Sequence, residues 1–239
     1  MFPMPSSDDL HELFARAKGA AATARSTWIQ KAGRPLERRG TGESADPSSS
    51  PTWDLDALRG RLVELSARGA TATLSAAIEL VVLAQQAGEP VGWVTLGHAT
   101  FYPPDVADSG VDLAALAVVR VHDTTSAGRA AERLLRSGGF GLVVLDFGSV
   151  GGGGAVEIPI AHQGRLVTLA QTHDAAVVCI TEKQADAASL GSLVSLRAEA
   201  LRRHAPEHGG YHMALRVLKD KRRGPGFSRT VRLRGPEGM

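Results

Sequence analysis

The sequence predicts an α/β fold in which helices flank a mostly parallel central sheet, and antiparallel strands extend that sheet near the carboxyl end. Short apolar runs alternate with helix-length segments between residues 61 and 181, which is the pattern of a parallel sheet covered on both sides. The run at 140–147 is almost continuously apolar, as in a strand buried on both faces. After Gly191, three extended segments follow one another with only turns between them, which favours antiparallel pairing.

The first element is a helix within residues 1–32. Ser6 or Ser7 can cap it, and acidic residues follow near its positive amino-terminal end. Its apolar residues recur at steps of three and four: Leu10, Leu13, Phe14, Ala17, Ala21, Ala24 and Trp28. Residues 33–52 are rich in Gly, Pro and Ser and predict a flexible linker. We therefore expect a tethered helix, which docks on its own domain or on a neighbouring subunit, ahead of a core domain at 53–239.

Within the core domain, periodicity and turn residues place the elements. Strands are predicted at 61–66, 91–97, 117–121, 140–147 and 175–181, and helices at 73–86, 125–137 and 161–173. Pro103 and Pro104 are assigned to a loop, and so are the glycines of 148–154. The extended segments 193–203, 211–221 and 227–234 are expected to form the antiparallel extension, with polar residues on one face.

Composition excludes several classes of protein. The chain has 239 residues and one cysteine, so an internal disulfide framework and a Cys-rich zinc site are excluded. Cys179 lies in an apolar run and is expected in the core. Pro206 and two glycines prevent three nearby histidines from sharing one helix, so no metal site is expected. No apolar run approaches the roughly 20 residues of a membrane span, and no signal-peptide pattern begins the chain, which indicates a cytoplasmic protein.

Charge is unevenly distributed along the chain. From Leu196 onward, 11 Lys and Arg stand against 4 Asp and Glu, a net charge of +7. Because the whole chain carries +2, the remainder carries −5. Such asymmetry indicates an anionic partner, although a solvated Arg-rich face would have the same composition.

A phosphate-binding loop would be expected where the first strand runs through a loop into a helix, at residues 60–75. This frame resembles that of the RecA recombinase family. The resemblance continues through 110–113, 136–138 and 142–146 to the lysine pair of 217–221, and together these segments span nearly all of 58–235 in order. It implies a RecA-like core.

Laid on the RecA pattern, most catalytic positions carry other residues. The two Walker A glycines fall on Ala67 and Ala72, the lysine on Thr73, and the magnesium-binding hydroxyl on Leu74. The catalytic glutamate falls on Gly97, and the Walker B aspartate persists as Asp146. Walker A needs its glycine amides and lysine for the phosphates and its hydroxyl for magnesium. The resemblance therefore implies a pseudo-ATPase that is not an enzyme and needs no cofactor; an ATPase with an altered phosphate loop is an alternative.

Among RecA-like proteins without Walker A, the segments 102–113 and 131–138 are most similar to the ImuA family. That resemblance implies a non-catalytic protein of SOS-induced translesion mutagenesis, cytoplasmic and associated with the nucleoid on DNA damage. Its partners would be RecA, ImuB and the error-prone polymerase of the mutasome, and its role would be that of an adaptor that modulates or inhibits RecA. The alternative is a division inhibitor of the SulA type that binds FtsZ.

Two groups of residues are candidate partner surfaces. RecA-family filaments are held by an amino-terminal element of one subunit that packs on the next. The apolar stripe, Leu10, Leu13, Phe14, Ala17 and Trp28, is thus predicted to bind a partner. The basic cluster Lys219, Lys221, Arg222 and Arg223 is predicted to bind a partner or DNA, since in the resembled family the lysine pair faces the neighbour's nucleotide.

Overall fold

The structure, a computed structural model, describes residues 53–97, 101–148, 156–205 and 210–234. The predicted helix at 1–32, the linker at 33–52 and the glycines of 151–154 lie outside the described residues. Among the described residues, no helix is long and apolar enough to cross a lipid bilayer.

The elements alternate along the first part of the chain and then become consecutive strands. The strands are β1 (Arg61–Ala67), β2 (Val91–Leu96), β3 (Leu116–Val121), β4 (Leu142–Asp146), β5 (Ala176–Glu182), β6 (Leu196–Ala205), β7 (Gly210–Asp220) and β8 (Ser228–Arg234). The helices are α1 (Leu55–Leu58), α2 (Thr73–Gln86), α3 (Pro103–Asp108), α4 (Thr124–Arg136) and α5 (Ile160–Thr172), with a 3₁₀ turn at Leu113–Ala115.

The strands form one sheet in the order β3-β2-β4-β5-β1-β6-β7-β8. Every pair from β3 to β6 is parallel, while β6 with β7 and β7 with β8 are antiparallel. The predicted α/β fold, with a mostly parallel sheet and an antiparallel extension, is confirmed. One expectation was too simple: β6 was assigned to the antiparallel extension, but its first residues pair in parallel with β1, so it joins the two parts of the sheet.

Two apolar layers hold the helices on the sheet. On one face, Val63, Trp93 and Val144 pack with the buried residues of α2, such as Leu80. On the other face, side chains of the same strands that point the opposite way pack with α4 and α5. Trp53, at the start of the described core, is 1% exposed and belongs to the first layer.

Two short helices were missed, and the physical reason is visible in one of them. Pro103 and Pro104 were assigned to a loop, yet they begin α3. The first amides of a helix have no partner within it, so a proline there loses no hydrogen bond and supplies a suitable φ. Helix α1 has only four residues, too few for an apolar periodicity to show.

Candidate functional site

The loop predicted to stand at the phosphate-loop position joins β1 to α2. Ala67 ends the strand, Ala72 precedes the helix, and both are buried. Thr73 is the first residue of α2 and is also buried, whereas Leu74 is 37% exposed. Arg68 lies in the same loop and is exposed. It was not among the residues predicted from the sequence to form a site. The structure therefore places the four Walker-position residues together, as the chain order requires.

The backbone of this loop is hydrogen-bonded within the protein. The amide of Thr73 donates to Thr71 Oγ1 at 3.2 Å, and the amide of Ala72 donates to the carbonyl of Ala200 in β6 at 3.0 Å. The Thr71 amide donates to the carbonyl of Gly69 at 2.8 Å. Amides that already have partners can bind phosphate oxygens only if those bonds break. This loop is thus attached to β6, and these three amides are not ready donors for a bound anion.

Asp146 and Gly97 lie at the same edge of the sheet as this loop, because the carboxyl ends of parallel strands meet there. Asp146 is 3% exposed at the end of β4 and accepts hydrogen bonds from the Gly148 amide at 3.0 Å and from Thr95 Oγ1 at 3.4 Å. Gly97 follows β2, and its amide donates to the carbonyl of Val121. A Cβ on Gly97 would meet nothing closer than 3.9 Å. The Asp146 carboxylate, which the sequence predicts at the Walker B position, therefore has donors from its own fold.

The basic cluster lies at the opposite edge of the sheet. Asp220, between the two lysines, pairs with Arg61 at the start of β1, with Oδ1 and Nη2 2.6 Å apart. We call Lys219, Lys221, Arg222 and Arg223 the basic tip. The structure therefore does not bring the basic tip together with the β1–α2 loop of the same chain, since the length of β1 separates them.

Both lysines of the basic tip contact the segment between β5 and β6. Lys221 Nζ donates to the carbonyl of Ser192 at 2.5 Å, and Lys219 Nζ lies 3.5 Å from Ser189 Oγ. Burial lowers the pKa of Lys219, and the nearby charges of Lys221 and Arg197 lower it further. The side chains of Arg222 and Arg223 are exposed. Part of the tip thus supports the fold, and its arginines face solvent.

A buried polar cluster under the same segment was not predicted. Glu64, in the middle of β1, is fully buried and accepts hydrogen bonds from Thr181 Oγ1 at 2.9 Å and the Leu190 amide at 2.7 Å. Lys183 Nζ lies 2.7 Å from its carboxylate, and Arg197 Nε lies 3.9 Å away. The one available signal was an acidic residue flanked by the apolar residues Val63 and Leu65. Its partners are more than 100 positions away in sequence, so no local pattern could identify them.

A second polar contact joins α4 to α5. Glu132 Oε1 lies 2.5 Å from His162 Nδ1 and 2.9 Å from Arg165 Nε. Burial alone would raise the pKa of Glu132, but the hydrogen bonds from Arg165 and His162 outweigh it and hold that pKa below its usual value. Among the described residues, no cluster of three His, Cys, Asp or Glu could hold a metal ion. Cys179 is buried as expected, and burial raises the pKa of its thiol.

Comparisons with known proteins give a structural match. No protein-family model matches the chain, and no curated protein matches it. Among solved structures, the crystal structure of the RadB recombinase matches with a TM-score of 0.54 and 17% sequence identity, covering 75% of this chain and 94% of that chain. At this identity the match concerns the fold. Together with the parallel sheet, the flanking helices and the antiparallel carboxyl-terminal strands, it confirms that the chain has a RecA-like core.

Proposed function

We propose that this chain is a non-catalytic RecA-like protein that serves as an adaptor in SOS-induced translesion mutagenesis and modulates or inhibits RecA-mediated recombination through protein contacts. The observation that carries the proposal is the β1–α2 loop, which stands at the predicted phosphate-binding position but has the amides of Thr71, Ala72 and Thr73 hydrogen-bonded internally. The RecA-like core supports contact with RecA-like surfaces. The segments similar to the ImuA family support a role in mutagenesis.

Phosphate chemistry explains why contact, and not hydrolysis, is the activity proposed. A triphosphate is held by loop amides, a lysine and a magnesium ion on a hydroxyl. Here Thr73 stands at the lysine position, and its hydroxyl lies 2.9 Å from that of Thr71. Leu74 stands at the hydroxyl position and cannot bind magnesium. Asp146 would add negative charge beside a triphosphate without a lysine or metal to offset it.

The contacts proposed are those of a subunit that joins a filament but does not continue it. The stripe of the amino-terminal segment, with Leu13 and Phe14 at its centre, would pack on RecA. A joint made with this chain would lack ATP, so the filament would be capped or loosened and lesion bypass favoured. ImuB and the error-prone polymerase are the other proposed partners, and the basic tip would contact a partner or DNA. The proposed location is the cytoplasm, with association to the nucleoid after DNA damage.

Binding to purified RecA tests the stripe. Removing residues 1–32, or replacing Leu13→Ala and Phe14→Ala in the full chain, should abolish binding measured by biolayer interferometry, because the apolar contact is lost. Glu12→Ala with Arg16→Ala is the matched control, since helical spacing puts those residues on the other side of the segment. The control should bind as the native chain does.

Three results would contradict the proposal. Unchanged RecA binding by the truncated chain would exclude the stripe as the RecA contact. Co-purification of FtsZ with the chain, with neither RecA nor ImuB co-purifying, would favour the SulA-type alternative. Micromolar ATP affinity with turnover would show an active ATPase with an altered phosphate loop.

A further inference from the structure

Among the described residues, no helix or loop covers one face of the antiparallel extension. On the covered face, Met213, Leu215 and Val217 of β7 pack into the core with α2, and Arg229 of β8 pairs with Glu79 of that helix. We call the opposite side of β6, β7 and β8 the open face. Its side chains alternate with the covered ones and include Leu201, Arg203, His212, Ala214, Arg216, Ser228, Thr230 and Arg232. The three arginines, Ser228 and Thr230 are exposed, whereas Leu201, His212 and Ala214 are half-buried. Helix α5, which covers this side of the sheet elsewhere, contacts β1 and β5.

Strand register aligns basic side chains across the open face. Arg203 pairs with His212, and His212 pairs with Arg232, so the three form one row perpendicular to the strands. Neighbouring strands lie about 4.8 Å apart, so the two arginines are separated by about 10 Å. Arg203 and Arg232 make no ion pair within the described part of the chain. The row therefore presents two guanidinium groups to solvent.

The rest of the open face adds little negative charge. Glu199 pairs with Arg216, with 3.0 Å between Oε2 and Nη2, and the Arg216 side chain stays 58% exposed. Ser228 and Thr230 place hydroxyl groups beside the arginines. Guanidinium and hydroxyl groups are among the side-chain donors that contact the sugar–phosphate backbone of nucleic acids.

We propose that the open face binds the sugar–phosphate backbone of a nucleic acid without reading its sequence. Charge complementarity with a polyanion supports this occupant. A protein partner is disfavoured, because protein interfaces depend on buried aromatic or large apolar anchors, and the large exposed apolar side chains of the described residues, such as Tyr102 and Ile160, lie on other elements. No Phe, Tyr or Trp side chain lies among the described residues of the open face, and the His212 imidazole is half-buried, so bases have little platform on which to stack.

This surface is separate from the basic tip of the proposed function. The basic tip begins at Lys219, near the end of β7 that pairs with the start of β6, whereas the Arg203–Arg232 row lies near the other end of both strands. Nucleic-acid binding at the row also needs no contact with RecA. The inference therefore stands or fails independently of the adaptor role.

Fluorescence anisotropy with a labelled 30-nucleotide single strand tests the inference on the full chain. Arg203→Gln with Arg232→Gln should weaken binding about 20-fold in 0.1 M salt, and the slope of log K against log salt should fall in magnitude by about 1.4, since each phosphate contact contributes about 0.7. Arg129→Gln with Arg133→Gln is the matched control, because both arginines are exposed on α4 and the charge change is the same. The control should lie within about twofold of the native chain, and oligonucleotides of different sequence should bind equally.

Several outcomes would overturn the inference: no binding by the native chain, equal loss in the control, or an unchanged salt slope in the open-face variant. Loss of binding in Lys221→Gln with Arg222→Gln and Arg223→Gln, with the open-face variant unaffected, would place the nucleic acid on the basic tip instead. Equally tight binding of polyglutamate would show a general acidic-peptide surface. Should the double variant misfold by circular dichroism, Arg232→Gln on the edge strand alone should still lower the slope by about 0.7.

Discussion

At the scale of single residues, the charges that matter most to the fold are the ones local patterns hide. Arg61 and Asp220 are both buried and lie 159 positions apart in sequence. Arg61 also donates to the side chain and carbonyl of Ser195, so it joins β1, β7 and the segment before β6. The sequence shows a basic residue at the start of a strand and an acidic residue between two lysines. Neither is distinguishable from a solvated surface charge until the sheet brings them together.

Removing the Asp220 carboxylate should lower the stability of the fold. Asp220→Ala leaves the Arg61 guanidinium buried without its counter-charge, which we expect to lower the free energy of unfolding by about 3 kcal/mol. Asp56→Ala is the control: its carboxylate pairs with Arg59 on the surface and is 91% exposed, so the change should stay below about 1 kcal/mol. Urea titrations at pH 7 measure both, and equal effects would contradict the expectation.

The ion pair between Arg61 and Asp220 should make the free energy of unfolding depend on pH in the acid range. Burial would raise the pKa of Asp220, but the hydrogen bonds from Arg61 and the Arg222 amide outweigh it and hold the pKa below its ordinary value. The stabilisation is therefore complete above the unfolded pKa of about 3.9 and disappears as the pH falls through the lower folded value. The difference between native chain and Asp220→Ala should accordingly shrink on acidification.

At the scale of elements, the sequence succeeded where a pattern was long and failed where it was short or non-local. Helix α2 occupies the predicted residues, because its helical pattern of apolar residues extends over 14 positions. The parallel pairing of β6 with β1 was missed, since strand direction depends on partners distant in sequence. The alignment of the β1–α2 loop with Walker A rests on chain order and stays a prediction, and the hydrogen bond that attaches Ala72 to β6 has no local signal.

That attachment predicts that restoring Walker A residues will not restore nucleotide binding. The change is Ala67→Gly, Ala72→Gly, Thr73→Lys and Leu74→Thr, with the backbone bond from residue 72 to Ala200 and the Thr71 hydroxyl retained. Millimolar Mg-ATP should shift the melting temperature of this variant by less than about 1 °C. Ligand at 100 times its dissociation constant would give about 2.7 kcal/mol, or roughly 5–10 °C. A shift of that size, absent from the native chain, would show that residue identity alone prevented binding.

At the scale of the whole molecule, the sheet places basic residues that are close in the carboxyl-terminal sequence at different locations. The residues that carry the carboxyl-terminal charge of +7 do not form one surface. Arg197 is buried beneath the β5–β6 segment, whereas the basic tip lies at the end of the sheet where β1 begins. The Arg203–Arg232 row lies on the open face. The net charge of +2 for the chain is therefore a sum over buried charges, such as those of Arg197 and Glu64, and several distinct groups of exposed charges. Which basic residues reach solvent depends on strand pairing, and composition does not record it.

Because the proposed RecA contact and the open face use different residues, their functions should be separable in one set of variants. Leu13→Ala with Phe14→Ala should abolish RecA binding and leave the affinity for single-stranded DNA within about twofold, while Arg203→Gln with Arg232→Gln should do the reverse. Distant, independent sites have additive free energies, so the combined variant should show both losses without a coupling larger than about 0.5 kcal/mol. Interferometry on RecA and anisotropy on the oligonucleotide measure the two affinities. If the stripe variant instead binds DNA more than fivefold tighter or weaker, the amino-terminal segment must act on the open face, and the two surfaces form one site.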